Sequence, residues 1–136
     1  MIEKIRHICF ADDDPDDHFL FTHAIQEQFP NIVLYPFYIC DDLLRFLEDE
    51  NKPAPDLIFL DLNIPGNMEL ECLKKIRQMT SLMHVPVLIY STSDSEASMT
   101  KSLTLGADKY VVKPYSYQQL KKTVGELIIE YEEKND

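Results

Sequence analysis

The chain has 136 residues and a formal net charge of −11, from 24 acidic and 13 basic side chains. This length is typical of one domain with a three-layer core, so we expect residues 1–136 to be a single domain. The negative charge argues against a nucleic-acid partner, because binding to a phosphate backbone depends on basic side chains.

Three cysteines, Cys9, Cys40 and Cys72, lack the spacing of a CxxC motif. An odd number without that spacing predicts reduced, mostly buried thiols of a cytoplasmic protein. Residues 1–4 do not begin a signal peptide, and no apolar run has the length of a membrane span. We therefore expect a cytoplasmic protein without membrane contact.

The first strand and the first helix are predicted from the beginning of the chain. Residues 5–10, Ile-Arg-His-Ile-Cys-Phe, predict the first strand. Asp14, followed by a proline, predicts a helix N-cap, and the apolar residues beyond it keep helical spacing to about Phe29. Asp16 and Asp17 fall in the first helical turn, where acids are favourable near the helix N-terminus.

Residues 32–40 form the second predicted strand, with Pro36 inside it. Because proline has no N–H to donate to a neighbouring strand, we expect this strand at an edge of the sheet. Asp41 then predicts the N-cap of a short second helix.

The third strand is the most apolar segment of the chain. Residues 57–60 are all apolar and lie between two proline-containing turns, which indicates a short strand buried on both faces. Asp61 follows directly, and in isolation such an aspartate is more often a turn residue than a functional one. Asn67 then predicts the cap of the third helix.

Residues 85–90 and 109–112 are the fourth and fifth predicted strands. Ser93 and Ser116, each followed three residues later by Glu or Gln, predict capping boxes for the fourth and fifth helices. Gly106 is expected just beyond the end of the fourth helix.

Five strands alternating with five helices predict an α/β fold of the (βα)₅ type, a doubly wound parallel sheet with helices on both faces. With the second strand at an edge, the strand order 2-1-3-4-5 of the flavodoxin-like class fits the sequence. Ligands bind such sheets at the carboxyl ends of the strands.

Polar residues occur at the carboxyl end of four predicted strands. Asp12 and Asp13 follow the first strand, Asp61 follows the third, Ser91 the fourth and Lys113 the fifth. Two unit charges about 4 Å apart interact by about 4 kcal/mol at an effective dielectric near 20, so three converging carboxylates favour a bound divalent cation. An oxygen-only ligand set favours Mg²⁺, or Mn²⁺, over Zn²⁺. A carboxylate, a hard cation, a lysine and a hydroxyl together predict a phosphoryl-transfer site.

The chain resembles the receiver domain of two-component response regulators over essentially its whole length. Five segments carry the resemblance, in this order: 11–14 (Ala-Asp-Asp-Asp), 60–66 (Leu-Asp-Leu-Asn-Ile-Pro-Gly), 86–91 (Pro-Val-Leu-Ile-Tyr-Ser), 106–110 (Gly-Ala-Asp-Lys-Tyr) and 113–114 (Lys-Pro). Each segment alone is a weak motif, and their combination is what indicates the family. The resemblance implies a stand-alone, CheY-like receiver domain without an output domain.

The resemblance also implies a role for each residue of the predicted site. Asp61 would accept a phosphoryl group from a phosphohistidine of a sensor histidine kinase or a histidine phosphotransfer protein. Asp12 and Asp13 would hold Mg²⁺, for which Asp61 and the backbone carbonyl of Asn63 would be further ligands. The domain would catalyse only its own phosphorylation and dephosphorylation, and would not otherwise be an enzyme.

A conformational switch is implied in the same way. Lys113 would neutralise the acyl phosphate, and its bond to Pro114 would be cis. Ser91 would move towards the phosphoryl oxygens, and Tyr110 would move between an outward and an inward position. The face made by the fourth helix, the fifth strand and the fifth helix would then change its affinity for a downstream target protein, and a homodimer is a further partner to test.

Two positions depart from the usual family pattern. Glu69 replaces a glycine in the loop after the phosphoacceptor, and Thr92 replaces a small residue after the switch hydroxyl. We expect both substitutions to change rates without removing a reacting group.

Two other functions fit parts of the sequence. An aspartate-nucleophile phosphatase would use Asp61 and the residue two positions later as nucleophile and general acid, but Asn63 cannot act as an acid. A flavodoxin-like cofactor-binding protein would need a phosphate-binding loop after the first strand, where this chain has three carboxylates.

Overall fold

A computed structural model describes residues 5–134, with the side chain of Glu69 excepted. The strands are β1 (His7–Ala11), β2 (Val33–Phe37), β3 (Leu57–Leu60), β4 (Val87–Ser91) and β5 (Lys109–Val112). The helices are α1 (Pro15–Gln28), α2 (Cys40–Glu48), α3 (Glu71–Gln78), α4 (Glu96–Thr104) and α5 (Tyr117–Lys134). Two short 3₁₀ helices, Met68–Leu70 and Thr80–Leu82, precede and follow α3.

The five strands form one parallel sheet in the order β2-β1-β3-β4-β5, which confirms the predicted fold class and strand order. Pro36 lies in the edge strand β2, opposite Phe10 of β1. The missing N–H of proline is tolerated there because an edge strand has a neighbour on one side only.

Helices cover both faces of the sheet, and β3 is buried on both. On one face, Phe59 of β3 packs with Phe10 and with Phe21 of α1. On the other face, Ile58 packs among side chains of α2 and α3. This burial of apolar surface, worth roughly 25 cal/mol per Å², holds the strand that ends at Asp61 in place. No helix within residues 5–134 has the length and hydrophobicity needed to cross a bilayer.

Three predicted helix boundaries are confirmed. Asp14 caps α1, and its side chain accepts a 2.9 Å hydrogen bond from the N–H of Asp16. The Ser116 hydroxyl accepts a 3.1 Å hydrogen bond from the N–H of Gln119 at the start of α5. Gly106 follows α4 with a φ of +110°, a conformation that side chains other than glycine rarely adopt.

Two predicted caps are wrong because other hydrogen bonds fix the helix starts. Helix α2 begins at Cys40 rather than after Asp41, since the Cys40 N–H already donates to the carbonyl of Pro65 at 2.9 Å. Helix α4 is capped by Ser95, whose hydroxyl accepts from the Ser98 N–H at 3.2 Å. Ser93 instead accepts from the Ser95 N–H at 3.3 Å, which delays the start of the helix.

The prediction that Asn67 caps the third helix is right in its hydrogen bond and wrong in its position, because Leu70 is the residue at the N-cap of α3. Asn67 precedes the 3₁₀ helix Met68–Leu70 and makes no side-chain capping bond to it. Its side-chain oxygen accepts instead from the N–H of Cys72 in α3, at 2.9 Å. This buried side chain thus satisfies a first-turn N–H of α3, as a capping residue does, from beyond the intervening 3₁₀ helix.

The predicted state of the cysteines is wrong for two of the three. Cys40 of α2 and Cys72 of α3 form a disulfide, with their Cα atoms 5.9 Å apart, whereas Cys9 is free and buried. The pair is 32 residues apart in sequence, and only the packing of α2 beside α3 brings it together.

The predicted cis bond before Pro114 is wrong too, because every peptide bond within residues 5–134 is trans. The trans isomer before proline is intrinsically favoured by about 0.5–1 kcal/mol.

Candidate functional site

Three aspartates converge at the carboxyl edge of the sheet. One carboxylate oxygen from each of Asp12, Asp13 and Asp61 lies within 4.8 Å of the other two. Asp12 and Asp61 are 0% and 4% exposed, whereas Asp13 faces solvent. The neighbouring strands β1 and β3 bring them together, and the Asp61 N–H donates to the Ala11 carbonyl at 2.9 Å. This acidic cluster has an oxygen-only donor set with an open side, which fits a hard divalent cation.

Lys113 lies directly beside the acidic cluster. Its ammonium group donates to Asp12 Oδ2 at 2.8 Å, to Asp61 Oδ2 at 2.9 Å and to Asp17 Oδ2 at 2.7 Å. These bonds use all three donors of the ammonium. The ring centroid of Tyr90 lies 5.4 Å from the same nitrogen, and the lysine side chain is only 11% exposed. One buried positive charge is therefore held among several negative ones.

Burial and charge shift the pKa values of this group. Burial raises the pKa of Asp12 to about 7, against the hydrogen bond from Lys113, which lowers it. Burial alone would lower the pKa of Lys113, but its hydrogen bonds to Asp12, Asp17 and Asp61 outweigh this and raise that pKa above its ordinary value. The ammonium is thus charged at neutral pH, and the cluster has too little positive charge for its carboxylates. A divalent cation would relieve that imbalance.

The loop after Asp61 is fixed by hydrogen bonds to its neighbours. The Asn63 N–H donates to Asp61 Oδ1 at 3.0 Å, which orients the carboxylate. The Asn67 amide donates to the carbonyl of Leu62 at 3.1 Å, while its oxygen holds α3 as described above. Gly66 has a φ of +90°, and a Cβ on it would come within 2.9 Å of the Cys40 Cβ. The loop therefore lies close against the start of α2.

Ser91 and Tyr110 lie in neighbouring strands and both reach the loop after β4. The fully buried Ser91 hydroxyl accepts a 3.1 Å hydrogen bond from the N–H of Ser93. The half-buried Tyr110 hydroxyl donates to the carbonyl of Ser93 at 2.8 Å. Within the described residues, neither side chain bonds to Asp61 or Lys113. The structure thus joins these two predicted residues to each other through Ser93, and not to the acidic cluster.

Sequence reasoning missed two side chains of this site. The sequence predicts Asp17 only as a favourable first-turn acid, but its carboxylate accepts a hydrogen bond from Lys113. His18 is buried, and its Nε2–H donates to the carbonyls of Asp12 at 2.7 Å and Phe37 at 3.1 Å, which joins the ends of β1 and β2. The available signal was that α1 begins at the same edge of the sheet, so its first turn lies over the strand ends.

A family model described as the response regulator receiver domain matches residues 8–125. The probable methanogenesis regulatory protein FilR2 of Methanothrix harundinacea is 31% identical over 86 residues, which are 63% of this chain and 56% of that protein. The phosphate regulon transcriptional regulatory protein PhoB of Escherichia coli is 33% identical over 70 residues, 52% of this chain and 31% of PhoB. The chain thus matches about half or less of these curated relatives, and the expected absence of an output domain stays a prediction.

Solved structures with the same fold cover nearly all of the chain. The phosphorylated cyanobacterial phytochrome response regulator RcpA superposes with a TM-score of 0.80 at 27% identity, over 90% of this chain and 91% of RcpA. The Mn²⁺-bound form of response regulator Rcp1 gives 0.78 at 28% identity, with coverage of 90% and 91%. The chemotaxis response regulator CheY4 of Vibrio cholerae gives 0.77 at 21% identity, covering 91% of this chain and 99% of CheY4, and shows the shared fold.

Proposed function

Because the chain belongs to the family of response regulator receiver domains, matched over residues 8–125, we propose that it is switched by phosphorylation of Asp61. The phosphoryl group would come from a phosphohistidine of a sensor histidine kinase or a histidine phosphotransfer protein. One observation carries the proposal: the nearly buried Asp61 carboxylate belongs to the acidic cluster and accepts a hydrogen bond from Lys113. A nucleophilic carboxylate between a cation site and a fixed ammonium suits phosphoryl transfer.

In the proposed reaction, one carboxylate oxygen of Asp61 attacks the phosphorus atom of the donor. An oxygen–phosphorus bond forms while the phosphorus–nitrogen bond to the donor histidine breaks. The histidine nitrogen keeps the electron pair of that bond and takes up a proton, and Asp61 becomes an acyl phosphate. Lys113, 2.9 Å from Asp61 Oδ2, stabilises the negative charge of the transferred group. The domain acts only on its own aspartate, and water later hydrolyses the acyl phosphate.

Mg²⁺ is the cofactor that the acidic cluster favours, with Mn²⁺ as a substitute. Asp12, Asp13 and Asp61 would hold the ion with the backbone carbonyl of Asn63, and the oxygen-only donor set within 4.8 Å supports this. A bound cation supplies positive charge that offsets the charge of the phosphoryl group. The similar protein Rcp1 has a Mn²⁺-bound form, which supports the choice of a hard divalent ion.

Ser91 and Tyr110 are the proposed switch residues. Both side chains form hydrogen bonds with the backbone of Ser93, so a movement of one side chain changes the hydrogen bonding of the other through this shared residue. The Ser91 hydroxyl would turn from the Ser93 N–H towards a phosphoryl oxygen. The backbone of Ser93 would then be free to move, and its position would decide whether the Tyr110 hydroxyl keeps its hydrogen bond to the Ser93 carbonyl. A nearly complete shift of such an equilibrium requires on the order of 5 kcal/mol of differential stabilisation.

The switch would be read by a downstream target on the face formed by α4, β5 and α5. Lys109 of β5 pairs with Glu130 of α5 at 3.1 Å on this face, and Leu103 of α4 is exposed. Because Tyr110 lies in β5 and Ser93 precedes α4, a change at the hydroxyls reaches this face through short segments. A second copy of the chain is an alternative occupant of the same face.

Phosphorylation by a small donor tests the proposal. Incubation with acetyl phosphate and Mg²⁺, followed by intact-mass measurement, should add one phosphoryl group to the wild type and none to Asp61→Asn. Asp94→Asn is the matched control, because Asp94 is exposed in the loop after β4 and should leave uptake unchanged. Uptake by Asp61→Asn would overturn the assignment. Multiple turnovers of a chromogenic phosphate ester would instead favour the phosphatase alternative.

A further inference from the structure

Among residues 5–134, Asp17 is the one acceptor of Lys113 that lies outside the acidic cluster. It is in the first turn of α1, and its Oδ2 lies 2.7 Å from the lysine nitrogen, against 2.8 and 2.9 Å for the oxygens of Asp12 and Asp61. Its side chain is 31% exposed, whereas those of Asp12 and Asp61 are buried. The metal-binding role proposed above does not involve Asp17.

The hydrogen bonds of Lys113 leave no donor for an incoming group. Its three N–H donors already go to three carboxylates, so a phosphoryl oxygen on Asp61 has to take over one of them. Asp17 holds the ammonium towards α1 and competes for it throughout the reaction. A neutral side chain at this position would compete less, because a charged acceptor binds an ammonium more strongly than a neutral one.

The charge of Asp17 acts in the same direction. Three carboxylates bond to one ammonium, and the exposed Asp13 belongs to the same acidic cluster, so a divalent cation would still leave the group negative. Phosphorylation of Asp61 replaces a single negative charge by a double one. Each further negative charge nearby opposes this step and at the same time attracts the cation.

We propose that Asp17 is a positioning residue that holds Lys113 towards α1, weakening the hold of the site on a phosphoryl group while strengthening its hold on the metal ion. This inference rests on the proposed function of Asp61. In this proposal, the Asp17 side chain of α1 shifts the equilibrium between the unphosphorylated and phosphorylated states.

A simpler role for Asp17 is stabilisation of the helix N-terminus, as for any first-turn acid. Asp16 allows the two roles to be separated. It lies in the same turn, is exposed, and its carboxylate makes no described bond to Lys113. Asp16→Asn therefore removes the same charge from the same helix turn and leaves the Lys113 contact intact.

Two binding measurements on the full chain test the proposal. Beryllofluoride, a phosphoryl analogue that forms a doubly charged adduct with a carboxylate, is titrated in saturating Mg²⁺ and followed by fluorine NMR. Mn²⁺ affinity is measured separately by the electron paramagnetic resonance signal of the free ion. Asp17→Asn should bind the analogue about three- to tenfold more tightly and Mn²⁺ more weakly, since loss of one nearby charge acts oppositely on an anion and a cation.

Opposite signs are the decisive readout, because structural damage would weaken both ligands. Asp16→Asn should change either affinity less than twofold. Asp17→Glu keeps the negative charge, so both affinities should stay close to those of the wild type. Asp17→Ser removes the charge and should repeat the effect of Asp17→Asn. The inference is overturned if Asp17→Asn binds the analogue no more tightly than wild type, or changes no more than Asp16→Asn. Failure of the wild type itself to bind the analogue with Mg²⁺ would instead overturn the proposed function, and the inference with it.

Discussion

The hydroxyl of Tyr110 in β5 donates a 2.8 Å hydrogen bond to the backbone carbonyl of Ser93 in the loop after β4. The N–H of the same Ser93 donates to the hydroxyl of Ser91, so one peptide segment connects an aromatic side chain to the end of a buried strand. This relationship gives the proposed switch a physical link that does not depend on direct contact between its two residues.

Removal of the tyrosine hydroxyl should weaken this link. Tyr110→Phe is expected to lower the free energy of unfolding by about 0.5–1.5 kcal/mol, the usual net value of one hydrogen bond, while leaving phosphorylation of Asp61 in place. Urea denaturation measures the first effect and intact mass the second. Tyr115→Phe is the control, because Tyr115 is fully exposed and its loss of a hydroxyl should change stability by much less. Equal effects of the two variants would contradict a structural role for the Tyr110 hydroxyl.

Lys113 is expected to be essential for stability only when no cation is bound. Lys113→Ala leaves the buried carboxylates of Asp12 and Asp61 without their ammonium partner, a loss that typically costs 3–5 kcal/mol. Mg²⁺ should restore much of this loss and should bind more tightly than in wild type, since a competing positive charge is gone. Thermal unfolding with and without Mg²⁺ measures both effects.

Lys109→Ala is the matched control for that experiment. Lys109 pairs with Glu130 at a part-exposed site, and such pairs contribute about 0–1 kcal/mol. Its replacement should change stability little, and equally with and without Mg²⁺. The electrostatic description of the site would be contradicted if Mg²⁺ raised the stability of Lys113→Ala by no more than it raises the stability of the wild type.

Metal affinity should depend on pH through Asp12. Because burial raises the pKa of Asp12 from 3.8 to about 7, a proton competes with the cation for this carboxylate near neutral pH. Affinity for Mg²⁺ should therefore fall about tenfold between pH 8 and pH 6, as the deprotonated fraction falls by that factor. The stability of the metal-free protein should depend on pH in the opposite direction. The folded state binds this proton more tightly than the unfolded state does, so the contribution of Asp12 to the free energy of unfolding falls as pH rises from about 4 to 7.

Calorimetric titration with Mg²⁺ at several pH values measures this dependence. Asp12→Asn should bind the ion weakly with a flatter pH profile, since its amide does not titrate. The same steep profile in wild type and in Asp12→Asn would show that another group is responsible.

The disulfide between Cys40 and Cys72 should contribute measurably to stability. A closed loop of this length, with the cysteines 32 residues apart, restricts the unfolded chain and is worth about 2–4 kcal/mol. Reduction should lower the free energy of unfolding by that amount in wild type, and have no effect in the double variant Cys40→Ser, Cys72→Ser. Thiol titration in denaturant should find one free thiol, from Cys9, before reduction; three would contradict the disulfide.

The fold was predictable because its signals are local. The apolar run before Asp61, the capping pair Asp14–Pro15 and Pro36 in an edge strand each follow from short segments read one at a time. The parallel sheet then brings Asp12, Asp61 and Lys113 together by its topology, so the core of the candidate site follows from the strand order as well.

The parts that could not be predicted depend on contacts between distant segments. The Cys40–Cys72 disulfide requires that α2 and α3 pack side by side, which no sequence spacing shows. The bond from Asp17 to Lys113 joins residues 96 positions apart and depends on where the first turn of α1 lies over the sheet. Asn67 accepts from a first-turn N–H of α3, but the 3₁₀ helix Met68–Leu70 that separates it from the start of α3 does not follow from the sequence pattern.

The most direct test of the central claim is to locate the phosphoryl group chemically. Acetyl phosphate and Mg²⁺ would be applied first, then borodeuteride, which reduces an acyl phosphate to the corresponding alcohol and so marks the phosphorylated aspartate by a mass change. Peptide mapping should find homoserine at position 61 and nowhere else, with no label in protein that was not phosphorylated. Homoserine at position 12, 13 or 17, or no reduced residue in a protein that carries phosphate, would contradict the assignment of Asp61 as the phosphoacceptor.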